Sequence, residues 1–143
     1  MGTKISEDEN TLSSSIEALA KAFEQAKVQY FIGGSFASSV QGEFRSTNHL
    51  DVVCDLKPSQ VVAFVESLGE SFIVDVVGLE TATRESSSYN IIHEPSFLKI
   101  DLFFVRNDFH RAQLMRSIKV SLPSTSIEVN VASSEDIVLE AIS

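Results

Sequence analysis

Cysteine is almost missing from this chain: Cys54 is the only one. One thiol cannot close a disulfide within the chain, and this sparse usage fits a reducing, cytoplasmic setting. Basic residues are scarce as well. Eleven Lys and Arg stand against 20 Asp and Glu, a formal net charge of −9. That balance speaks against broad DNA or RNA binding, which depends on dense Lys and Arg. It leaves room for a small anionic ligand, because a local cradle of backbone N–H groups holds phosphate under an acidic exterior. Long apolar runs are lacking too. None approaches the ~20 residues of a membrane-spanning helix, so no membrane partner is expected. The opening residues MGTKISEDEN are polar and acidic, unlike a signal or transit peptide. There is no internal repeat, and low complexity is confined to two short serine runs, residues 13–15 and 86–88.

What is present suits one domain. The 143 residues are 43% apolar and 22% charged, ordinary values for a globular chain with one core. Residues 1–10 read as a disordered acidic lead-in to a single domain over 11–143. Leu12, Ile16, Leu19, Phe23 and Ala26 recur at helical spacing, which predicts an amphipathic helix over residues 12–27. Residues 28–32 form a short β-rich run stopped by Gly33-Gly34. A short helix over 35–42 follows, with Ser35 as its N-cap, and then a strand over 50–56.

Pro58 and Ser59 open a helix whose stripe is Val61, Val62, Val65 and Leu68. A strand at 71–75 and a weaker helix at 76–84 come next. Residues 89–93 and 97–105 read as strands joined by Glu94-Pro95-Ser96, hence an antiparallel hairpin. A helix over 108–116, strands over 117–122 and 126–131, and a helix start at Ser133-Ser134-Glu135-Asp136 complete the pattern. That last helix has about two turns before the sequence stops, which suggests further C-terminal helices. The order predicts an α+β, or mixed α/β, domain: a mixed β-sheet with helices mainly on one face.

Three features carry chemistry. Gly33, Gly34 and Ser35 end a strand where a helix begins. Glycines permit close backbone approach, and the helix start offers free N–H groups, so together they make a phosphate seat. Asp51 lies on the next strand, and His49, two residues before it, shares its face. Asp101 is embedded in the apolar run LKIDLFFV, where an unpaired acid is costly. If the strand of Asp101 lies beside that of Asp51, the carboxylates meet on one face and repel unless a cation joins them. The competing reading is a pair of strand acids satisfied by Arg45 or Lys99. Cys54 reads as a buried small hydrophobe. His93 reads as surface or turn-adjacent, and His110 as a solvated helix residue.

The run from Gly33-Gly34-Ser35 through RSTNHLDV, with Asp101 in KIDLFF, resembles the signature of the polymerase-β-type nucleotidyltransferase superfamily. Within it, the chain is similar to small bacterial nucleotidyltransferase-like proteins, relatives of abortive-infection toxins among them. The likeness spans about residues 12–140. It implies a nucleotidyltransferase fold, an NTP substrate, Mg²⁺ or Mn²⁺, and transfer of a nucleoside monophosphate to a hydroxyl acceptor on protein or RNA. By position it gives Gly33, Gly34 and Ser35 the phosphates, with Arg45 facing the triphosphate or pairing with an acid. Asp51 becomes a metal ligand, and Asp101 a metal ligand that also activates the acceptor. The sequence departs from the pattern at His49, which stands where the family has its first acid. Mg²⁺ prefers oxygen donors and imidazole suits Zn, Ni, Cu or Fe better, so with His49 as the third metal-site residue the departure predicts weak or absent Mg²⁺ chemistry, use of another metal, or a chance change in an otherwise active enzyme. The alternative is a nucleotide-binding or regulatory module without catalysis, such as one half of a toxin–antitoxin-like pair.

Overall fold

The computed structural model describes residues 4–33, 49–122, 125–133 and 135–136. Helix α1 spans Lys4–Gln25. It begins well before Leu12, so the expected disordered lead-in is helical from Lys4 onward. Residues 4–25 contain neither Pro nor Gly, so nothing in their sequence breaks a helix. Lys27 turns the chain with φ 61°, and β1 (Tyr30–Ile32) follows. Strand β2 is His49–Cys54. A single 3₁₀ turn at Pro58–Gln60 leads into α2, Val61–Leu68. Gly69 stops α2 in the left-handed region, φ 86°, where a side chain would be strained.

Strand β3 (Phe72–Ile73) and helix α3 (Val76–Glu85) come next, the helix capped by Asp75 accepting from the Gly78 N–H at 3.1 Å. Strands β4 (Ser88–His93) and β5 (Leu98–Phe104) form the expected antiparallel hairpin. Helix α4 covers Asp108–Arg116, capped by Asn107 accepting from the His110 N–H at 2.8 Å. Strands β6 (Ile118–Ser121) and β7 (Glu128–Val131) close the order.

The seven strands make one mixed sheet, β3-β4-β5-β2-β1-β7-β6. β2 runs parallel to β5 and antiparallel to β1, and β1 runs parallel to β7. This is the mixed-sheet α+β architecture that the sequence predicts. Helices α1, α2 and α3 cover one face. Ile16, Leu19 and Phe23 of α1, Val61 and Phe64 of α2 and Leu79 of α3 pack there with Leu50, Val52, Ile100 and Leu102. Phe23 stacks on Tyr30 and on Phe64 at 4.7 and 4.8 Å between ring centroids, which ties α1, β1 and α2 together. Each such ring adds about 1.5–3 kcal/mol by burial. Helix α4 lies over the opposite face, where Leu114 meets Phe31, Val105 and Ala132 with Val53 alongside. Among the described residues no helix is long and apolar enough to cross a membrane.

Ser133 and Asp136 behave as the expected helix start. The Ser133 hydroxyl accepts from the Asp136 N–H at 3.2 Å and donates to the Asp136 carboxylate at 3.1 Å. The buried Asp136 carboxylate also takes two donors from Arg116 at 2.5 and 3.2 Å, a fork that pins the end of α4 to this segment. Those guanidinium bonds raise the Arg116 pKa.

Candidate metal centre

Strand pairing decides the site. Asp51 and Asp101 are Cα partners across the parallel pair β2 and β5, and Asp101 is at the same time the partner of Asn90 across β5 and β4. A row Asp51, Asp101, Asn90 therefore runs across three neighbouring strands. Period-two alternation then sets the face. Leu50, Val52, Ile100, Leu102 and Ile91 are buried under the helices, so the row and His49 project from the other side.

The side chains close on one another there. His49 Nε2 contacts Asp101 Oδ2 and lies 3.5 Å from Asp51 Oδ1. The other oxygen of Asp101, Oδ1, accepts from the Asn90 amide. Both oxygens of Asp101 are thus engaged, each by a neighbour from an adjoining strand. Exposure grades across the cluster. The side chains of His49 and Asp51 are 46% and 42% exposed, that of Asp101 only 17%. Among the described residues neither Asp51 nor Asp101 pairs with a lysine or arginine. Lys99, the alternative partner, sits opposite His49 and Ile92 in the register instead.

His49, Asp51 and Asp101 each offer one ligand atom, all within 4.8 Å of one another. They could hold a metal ion. The donor set is one imidazole nitrogen and two carboxylate oxygens, which suits Mn²⁺, Fe²⁺ or Zn²⁺ better than Mg²⁺. An imidazole ligates through an unprotonated nitrogen, so a cation entering here replaces the His49–Asp101 hydrogen bond.

Gly33 borders this cluster. Its N–H donates to the Asp51 carbonyl at 2.7 Å. A Cβ at this position would stand 3.3 Å from both the Cβ and the carbonyl oxygen of Asp51. Among the described glycines only Gly69 has positive φ. A side chain at position 33 would crowd Asp51. Gly34, Ser35 and Arg45, the remaining predicted nucleotide-binding residues, lie outside the described residues, as does the predicted helix over 35–42. A scan against protein-family models and a search of curated proteins find no match to the chain.

Two histidines depart from their sequence readings. His93 is turn-adjacent as read, capping the 3₁₀ turn Glu94–Ser96, but it is buried and not at the surface. It packs on Phe72 at 4.9 Å, and its Nδ1 meets the Ser96 hydroxyl at 2.8 Å. Burial lowers its pKa. The pairing of Phe72 with His93 across β3 and β4 brings this about, a contact invisible in the local pattern. His110 is half-buried, and its Nδ1 is inaccessible with no hydrogen-bond partner among the described residues. Cys54 is buried as expected, its thiol pushed up to about 12 by desolvation.

Asn90 was missed by sequence reasoning. The available signal was an amide in the middle of SYNIIH, where β-propensity disfavours asparagine. Asp55 has a structural role. It pairs with Lys57 at 3.1 Å and Arg111 at 3.4 Å, linking the end of β2 to α4.

Proposed function

We propose that this chain is a nucleotidyltransferase-type domain that binds a nucleoside triphosphate with a divalent cation at His49, Asp51 and Asp101. One observation carries the reading: Asp51 and Asp101 are register partners on parallel strands, with Gly33 tight against Asp51. Two acids drawn to one exposed face repel each other unless a positive group joins them. In this reading Gly33, Gly34 and Ser35 line the phosphates and Arg45 faces the triphosphate. The acceptor is a hydroxyl on RNA or protein, and a cytoplasmic setting suits both.

The chemistry is displacement at the α-phosphorus. The acceptor oxygen forms the new P–O bond, the bond to the bridging oxygen breaks, and pyrophosphate leaves with that electron pair. The hydroxyl proton passes to the Asp101 carboxylate, the least exposed acid of the cluster. The cation, when bound, supplies charge neutralisation at the phosphates. His49 replaces a hard carboxylate with an imidazole, so Mn²⁺ supports binding better than Mg²⁺. Loss of a carboxylate ligand lowers Mg²⁺-dependent transfer by about 10³-fold.

A second reading is favoured by one contact. His49 already touches Asp101 and approaches Asp51, so the imidazole can hold the acids together without a cation. The domain would then bind nucleotide as a regulatory module, such as part of a toxin–antitoxin-like pair, and transfer nothing. Calorimetric titration with each NTP, with Mn²⁺ or Mg²⁺, together with pyrophosphate release, separates the two. The first reading expects Mn²⁺-dependent NTP binding, and Mg²⁺-dependent release that rises in His49→Asp. NTP binding without cation, and no turnover in either protein, supports the second. If no NTP binds under any condition, both readings fail.

A further inference from the structure

We infer that Asn90 is a positioning residue for Asp101, fixing which carboxylate oxygen faces an incoming cation. This rests on the cation reading of the cluster and extends it to the neighbouring strand. An ionised carboxylate only accepts hydrogen bonds, so the partner of Asp101 Oδ1 must be the Asn90 amide nitrogen. Strand register holds that pair. Asn90 and Asp101 are Cα partners in an antiparallel ladder of six residue pairs, Ser88↔Phe103 to His93↔Leu98. Neither backbone can slide without turning buried Ile91 and Ile100 out of the core.

The consequence is directional. With Oδ1 committed to Asn90, the oxygen turned toward His49 and Asp51 is Oδ2. A cation entering between them meets one oxygen of Asp101, in a plane already set by the amide. Without the amide, the carboxylate is free to rotate about its terminal torsion, which is broad and soft. The ordering cost then falls on the binding step. Hydrogen-bonded partners of metal ligands typically change affinity by about 10–100-fold when removed. Fold maintenance does not explain the choice of residue. Asn90 is exposed on the open face, and asparagine is a poor strand former.

The test is Mn²⁺ titration of the full chain by calorimetry, with thermal melts of the cation-free proteins, for the parent, Asn90→Ala, Asn90→Asp and Asp101→Asn. Asn90→Ala should weaken Mn²⁺ binding about 10-fold or more while its cation-free melting point stays near the parent's. Asn90→Asp exchanges the donor for a third carboxylate beside Asp101. It should bind Mn²⁺ more tightly than Asn90→Ala and melt below the parent without cation. A purely structural asparagine would shift both melting points and neither affinity. If the parent binds Mn²⁺ and both Asn90 variants keep its affinity, the role of Asn90 is overturned and the cation site stands. If the parent binds no Mn²⁺, or Asp101→Asn binds it equally well, the cation site itself falls, and the role of Asn90 with it.

Discussion

Along β5, Leu98, Ile100, Leu102 and Phe104 are buried, while Lys99, Asp101 and Phe103, alternating with them, face the other way. β2 divides likewise, with Leu50, Val52 and Cys54 inside and His49, Asp51 and Val53 on the far side. The helix-covered face is sealed by α1, α2 and α3. The opposite face is covered by α4 near Phe31, Val53 and Val105, while His49 and Asp51 remain accessible. The contrast teaches that a fixed register serves two purposes. Packing on the covered face locks the strands, and the lock aligns carboxylates that would otherwise move apart. Stability should therefore depend on one face and ligand binding on the other.

The largest expected effect breaks the covered face. Phe64 is fully buried and stacks on Phe23, so Phe64→Ala should cost about 3–5 kcal/mol in urea unfolding. A loss below about 1 kcal/mol would mean that this face is not the core.

Gly33→Val tests the seam between the faces. The new side chain meets Asp51 from 3.3 Å outward, an overpacking that costs about 1–3 kcal/mol. Because the push falls on Asp51, Mn²⁺ affinity should drop as well. A stable variant with unchanged Mn²⁺ binding would separate Gly33 from the site.

A third prediction uses pH on the covered face. The Cys54 thiol is raised from 9.0 to about 12 by burial. Above about pH 9 the unfolded chain loses that proton while the folded one keeps it, so the unfolded state binds fewer protons and stability falls as pH rises. The slope approaches about 1.4 kcal/mol per unit until the folded thiol titrates. Tyr30, also raised chiefly by burial, adds to the decline at higher pH. Urea midpoints across pH 8–11 should fall less steeply in Cys54→Ala than in the parent, and equal slopes would place the alkaline loss elsewhere.

The smallest stability effect belongs to the open face. Asp101→Asn should change cation-free stability by only about 0.5 kcal/mol, yet lose the Mn²⁺-dependent rise in melting temperature that binding to the folded state gives. A large cation-free loss would make Asp101 part of the framework and erase the division between the faces.

Much of this was legible in order and little in depth. Helix 108–116 and the hairpin around Glu94-Pro95-Ser96 were read from periodicity and turn residues, and both stand. Local spacing was enough because caps and turns are local interactions. The common face of His49 and Asp51 follows from alternation alone. The start of α1 was misread because the first turns carry acids and little apolar pattern, although nothing in them breaks a helix.

The sequence by itself determined that there is one thiol and no internal disulfide, that helices 61–68 and 108–116 and the strands of the 88–104 hairpin form, and that an acid interrupts an apolar strand. Tertiary structure alone decided that β2 and β5 are parallel neighbours with Asp51 opposite Asp101, that His49 reaches across to Asp101, that Asn90 holds its other oxygen, and that His93 is buried. The reason is physical. Helix, turn and strand signals arise between residues a few positions apart, where the chain itself fixes the geometry. Which strand lies beside which, and in what register, is selected by burying both sets of apolar side chains at once, and no stretch of the chain carries that information alone.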